Sequence, residues 1–106
     1  MNRLKGAIGL ARKAGALAVG TELVRTAVRS GKVALVLLAS DASPNAVKRA
    51  EGLSAHYRVP LLRLPLTMAE LGAAAGRPPA AMAGAGASFR AMIEKAIPAV
   101  QPENGP

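Results

Sequence analysis

The chain reads as an α/β protein with a single domain, a three-layer α/β/α sandwich around a four-stranded mixed sheet. Three observations lead there. Helical and extended segments alternate along the 106 residues as α-β-α-β-α-β-α-β-α, an order that places helices on both faces of one sheet. The run VALVLLAS at 33–40 is apolar almost throughout, as expected of a strand covered on both sides. Apolar residues make up 51% of the chain and aromatics 2%, so one modest core is built from Ala, Val, Leu, Ile and Met.

Each element has its own signals. Asn2 is an expected N-cap for a first helix, with Leu4, Ile8, Ala11 and Ala14 at helical spacing. Gly15 supplies the left-handed residue that commonly ends a helix. Leu17 to Val19 is a short extended piece. Gly20 and Thr21 mark a new start, where Thr21 is expected to cap a second helix running to about Ser30 and closed by Gly31. The strand VALVLLAS follows and ends in Asp41-Ala42-Ser43-Pro44. There Asp41 is a turn and pre-capping residue, Ser43 caps, and Pro44 takes the first helical position. A third helix covers about 44–57.

Val59 to Leu64 is a second clear strand, with Pro60 at its start where no ladder donor is needed. Thr67 and Glu70 form a T-x-x-E capping box for a short helix ending near Gly76. Arg77-Pro78-Pro79 is an exposed loop. AAMAGA, at 80–85, has poor strand propensity, but the alternation elsewhere leaves a sheet position for it to fill. Ser88 opens a last helix to about Ile97. The expected domain is therefore 1–97, with 98–106 an expected disordered tail.

Composition excludes several kinds of chemistry. There is no cysteine and a single histidine, His56, which removes thiolate chemistry and leaves no histidine-based zinc site within one chain. The longest unbroken apolar run, Val33 to Ala39, is far short of the ~20 residues a membrane helix needs. Arg12 and Lys13 interrupt any signal-peptide core, and the chain reads as cytoplasmic. Gly84-Ala85-Gly86 stands where a dinucleotide fingerprint would, but the third glycine position is Phe89. Too little chain follows for the remaining βαβ unit, so these glycines read as a tight turn. Gly31-Lys32 lacks both the earlier glycine and the Ser/Thr of a phosphate-binding loop. Gly31 then reads as a helix C-cap and Lys32 as a solvated charge. The six acids are scattered along the elements with no nucleophile–base pair. His56 reads as a surface residue. No enzyme activity, cofactor or metal is expected.

Charge points elsewhere. The net charge is +8, and residues 1–32 hold seven cations (Arg3, Lys5, Arg12, Lys13, Arg25, Arg29 and Lys32) against one acid, Glu22. Such asymmetry suits a polyanionic partner. With only Tyr57 and Phe89 as aromatics, no platform exists for stacking single-stranded bases. The helix start at Thr21 exposes backbone N–H groups that favour phosphate, and Arg25 and Arg29 follow one turn apart. A folded RNA or deformed duplex fits that arrangement. An equally open reading is that Glu22 pairs with Arg25 across one turn and both merely solubilise the helix.

The runs GLARKAGALAVGTELVRTAV (9–28) and VALVLLASDASP (33–44), followed by VPLLRL and LGAAAG before a short loop, carry a resemblance. Over about residues 3–97 the chain is similar to the ribosomal protein seven-Ae-type kink-turn-binding superfamily, in particular its small bacterial stand-alone members. The resemblance implies an α/β/α sandwich that binds kink-turns, sharply bent duplexes with a three-nucleotide bulge beside tandem sheared G·A pairs. It implies that Gly20 and Thr21 form the turn whose backbone approaches RNA, and that Arg77, Pro78 and Pro79 cover the bulge. Three reader positions depart from the family pattern: Glu22 replaces the usual Asn, Leu23 the usual Glu, and Thr26 the usual Lys. Arg12, Lys13 and Arg25 are the expected phosphate partners, and Lys32 is counted with the expected RNA-binding residues. The expectation is a monomeric, non-enzymatic protein binding kink-turn or similarly bent RNA with altered specificity, associated with ribosomes or assembly factors. The alternative is a protein-interaction or assembly module of the same fold with degenerate RNA readout. A recognition domain of an RNA-modifying enzyme is disfavoured, since no linker or catalytic segment follows.

Overall fold

A computed structural model describes residues 3–97; the expected cap at Asn2 and the expected tail at 98–106 lie outside them. In chain order the elements are α1 (Arg3–Lys13), β1 (Leu17–Val19), α2 (Thr21–Arg29), β2 (Leu35–Leu38), α3 (Pro44–Tyr57), β3 (Leu61–Arg63), α4 (Met68–Ala74), β4 (Met82–Ala85) and α5 (Ala87–Ala96). The four strands form one mixed sheet in the order β1-β4-β2-β3. β2 and β3 run parallel, with Val36 opposite Leu61, across the α3 crossover. β4 lies antiparallel to both β1 and β2, so Ala85 faces Leu17 on one side and Leu35 on the other.

Alternation along β2 and β4 feeds two apolar layers. Leu35, Leu37, Ala83 and Ala85 pack against Leu4 and Ile8 of α1, Leu71 of α4 and Ile93 of α5. On the other face, Val36, Leu38 and Met82 pack against Val24 and Val28 of α2 and Ala50 of α3. That is the expected three-layer sandwich. All four residues of β2 and all four of β4 are buried, so AAMAGA fills an interior sheet position despite its weak propensity. Burial overrides propensity here. Among the described residues no polar or charged side chain is fully buried.

Several local expectations hold in detail. The Ser43 hydroxyl accepts from the Ala46 N–H with Pro44 in the first turn, and Thr67 and Glu70 complete both halves of the capping box. Gly15, Gly31 and Gly76 all take positive φ. Others need correction. Thr21 is not the cap of α2: Gly20 holds that position with φ 99°, a value that favours glycine, and no side chain caps the helix. Gly84 and Gly86 do not make a tight turn. Gly84 lies within β4, where a Cβ would come 2.8 Å from a Val33 methyl; the glycine exists so that Val33 can pack across the strand. Gly86 is the N-cap of α5, which begins at Ala87 and not Ser88. On α1 the buried stripe includes Ala7 while Ala14 is exposed, because the helix has ended before Gly15. Finally, Asp41 does more than precede a cap: its Oδ1 accepts from the Met68 N–H at 2.7 Å, tying the end of β2 to the start of α4.

Candidate nucleic-acid interface

The candidate surface is built around the start of α2. Gly20 donates its N–H to the Met82 carbonyl at 2.9 Å, fixing the turn to β4, and its own carbonyl accepts from Val24 at 2.9 Å. The N–H groups of Thr21, Glu22 and Leu23 precede that first helical bond and have no partner within the helix. The positive end of α2 is thus open, carrying fractional positive charge suited to an anion.

Two grooves flank this helix start. The first, of about 330 Å³, runs between α2 and the edge strand β1; Leu17, Val19, Leu23, Thr26, Lys32 and Arg77 are among its lining residues. Four of the sequence-predicted residues therefore meet around one apolar-floored groove, although 54 positions separate Leu23 from Arg77. Leu23 is 55% exposed, a large apolar side chain held toward solvent. The second groove, of about 360 Å³, lies between α2 and α3 and is lined by Thr21, Glu22, Arg25, Arg49, Gly52 and Leu53. Glu22 and Arg25 are joined there by an exposed ion pair of 2.6 Å. So the pairing that the sequence left open does form.

The loop after α4 frames the first groove. Arg77, Pro78 and Pro79 are all exposed. The loop sits against α4 because Gly72 has no side chain: a Cβ there would overlap the Pro78 carbonyl oxygen and lie 2.9 Å from that of Arg77. Arg12 is brought to the same loop from α1, its guanidinium next to Gly76, where a Cβ would stand 3.3 Å from a terminal nitrogen. Lys13 is exposed at the end of α1. It lines neither groove.

Arg49 is the residue that sequence reasoning missed. It is exposed on α3 and lines the second groove, and the Lys48-Arg49 pair is its only signal; nothing local shows that α3 lies beside the start of α2. Among the described residues, no three His, Asp or Glu side chains converge into a metal-binding group.

Comparison with known proteins agrees with the architecture. Residues 2–89 match the model of the "Ribosomal protein L7Ae/L30e/S12e/Gadd45 family". The chain is 39% identical over 71 residues to "RNA-binding protein YlxQ" of Enterococcus faecium, covering 67% of this chain and 68% of that protein. The solved structure of a protein of unknown function from Bacillus halodurans C superposes with a TM-score of 0.78 at 30% identity, covering 89% of this chain and 99% of that one. A 15.5 kD RNA-binding protein of Giardia lamblia shares the fold, with a TM-score of 0.70 at 21% identity over 88% of this chain and 80% of that one.

Proposed function

The chain belongs to the ribosomal protein L7Ae/L30e/S12e/Gadd45 family, and from that premise we propose that it is a non-enzymatic RNA-binding protein acting on kink-turn or similarly bent RNA. One observation carries the reading: the uncapped start of α2 stands beside a groove that gathers Leu23, Thr26, Lys32 and Arg77. In the proposed complex, phosphates approach the N–H groups of Thr21, Glu22 and Leu23 and the cations Arg12, Lys13, Arg25, Lys32 and Arg77. A base turned out of the helix enters the first groove, against Leu23 and beneath Pro78 and Pro79. The partner RNA is ribosomal or assembly-related, and the protein works as a cytoplasmic monomer.

Readout of base edges is reduced in this reading. Leu23 accepts no hydrogen bond from guanine and Thr26 carries no charge. A bidentate base contact is worth ~1–3 kcal/mol, so grip on the backbone and on RNA shape carries most of the affinity. A labelled kink-turn titrated against an unbent duplex of equal length tests this: tighter binding of the kink-turn is expected. Equal affinities would remove the specificity, and no binding to either at low salt would sink the proposal.

The second reading, an assembly module that has lost RNA recognition, is favoured by the 55% exposure of Leu23 at the centre of the surface. Combining Leu23→Glu with Thr26→Lys separates the two. RNA binding that appears only in the double variant would establish the assembly reading.

A further inference from the structure

A third groove lies between α1 and α5, within the helical layer on the sheet face opposite α2. Its volume is about 530 Å³, and Gly6, Ala7, Leu10, Met92 and Ala96 line it together with two cations, Arg3 and Lys95. Leu10 and Met92 are 52% and 44% exposed. Three features say what it accepts. First, Gly6 sits inside α1, where alanine is the better helix former, yet a Cβ there meets nothing within 4 Å. The monomer has no need of this glycine, whereas the close approach of a second backbone does. Second, two cations and no acid stand among the lining residues. Among the described residues neither Arg3 nor Lys95 holds an ion pair, and the neighbouring Glu94 is engaged by Arg90 at 3.1 Å. Third, the cations argue against a second copy of the chain. A two-fold pairing across this face would bring together four cations, two Arg3 and two Lys95, with no acid in the lining to offset them, between molecules of net charge +8.

We infer that the α1–α5 groove docks an acidic amphipathic helix of a partner protein. Small residues of that helix pass over Gly6, its apolar stripe packs on Leu10 and Met92, and carboxylates on either side reach Arg3 and Lys95. The chain's own residues 98–106 are a poor occupant, since they carry three prolines and a single acid, Glu103. None of the residues assigned to RNA takes part in this groove, so docking here and RNA binding stand or fall separately.

The probe is a fluorescein-labelled helical peptide of about 18 residues, with Ala and Leu on one face flanked by Glu; its control carries Lys in place of Glu. The Glu peptide is expected to bind the full chain at least tenfold more tightly than the Lys peptide, with amide shifts on α1 and α5. Gly6→Leu, which fills the groove where the monomer leaves space, and the pair Arg3→Glu with Lys95→Glu should each weaken the Glu peptide at least tenfold. The charge-reversed protein should gain the Lys peptide, a result that mere unfolding cannot produce. Equal binding of both peptides, no binding at all, or shifts confined to α2 would overturn the inference. So would a dimer abolished by Gly6→Leu, which names a second copy as occupant. A tenfold gain in Glu-peptide affinity on Glu103→Lys would likewise overturn it in favour of residues 98–106.

Discussion

Glu22 and Arg25 neutralise each other at 2.6 Å where the proposed phosphate would arrive. An exposed pair contributes no more than about 1 kcal/mol, so a phosphate can displace Glu22 from Arg25. The carboxylate nevertheless stays beside the positive end of α2, where it stabilises the free helix and opposes a second anion. Glu22→Gln is therefore expected to raise affinity for kink-turn RNA about fivefold, the size of one like-charge contact of ~1 kcal/mol in water. Fluorescence anisotropy at fixed salt reads this directly; unchanged or weaker binding would mean that Glu22 does not face the RNA. Single residues differ in how much of their role a sequence discloses. The Glu22–Arg25 spacing permits their pairing without deciding it. Gly84 looks like a turn residue because nothing adjacent reveals Val33, in the segment leading into β2, packing over it.

Among the elements, α4 sets the position of the loop that frames the first groove. Its only glycine, Gly72, is buried against the backbone of Arg77 and Pro78. Gly72→Ala must displace that backbone, and a loss of about 1–3 kcal/mol is expected, as for other overpacked sites, read as a lower urea midpoint. An unchanged midpoint would show that the loop yields freely. The start of the same helix carries a pH dependence. Glu70 accepts a hydrogen bond from the Thr67 N–H at 2.9 Å, which holds its carboxyl below the ordinary glutamate range, and Lys5 at 3.9 Å acts in the same direction. A depressed folded-state value adds stability above the unfolded-state value and loses it as pH falls through the folded one. The melting temperature should therefore drop more steeply below about pH 4 in the parent than in Glu70→Gln; parallel curves would exclude the capping box as the cause. Caps of this kind are legible in a sequence, since Thr67, Glu70, Ser43 and Pro44 act within a few residues of themselves. The cap of α2 reads one position late because Thr21 is a good cap by type, while the backbone there needs the positive φ of Gly20.

At the scale of the whole molecule, charge decides how the proposed RNA is held. With net charge +8 and little base-edge chemistry, binding should weaken steeply with salt. Lys32→Ala combined with Arg77→Ala should flatten the slope of log K against log salt by about two, close to one unit for each phosphate no longer neutralised. An unchanged slope would place those cations off the RNA path. Element order and the two-faced burial of β2 are readable because periodicity is local. The gathering of Lys32, Arg77 and α2 around one groove is not, because it follows from β4 lying between β1 and β2, and only pairing in space reveals that. This central position of the last strand also sets an order in time. Among the described residues β1 has no strand partner except β4, and the Gly20 turn is anchored on Met82. During synthesis, α2 and its neighbours leave the ribosome dozens of residues before that anchor exists. Non-local pairing of this kind forms late, so a nascent chain carries the cations of the surface but not its shape, and the proposed recognition of bent RNA would begin only when β4 has threaded into the sheet.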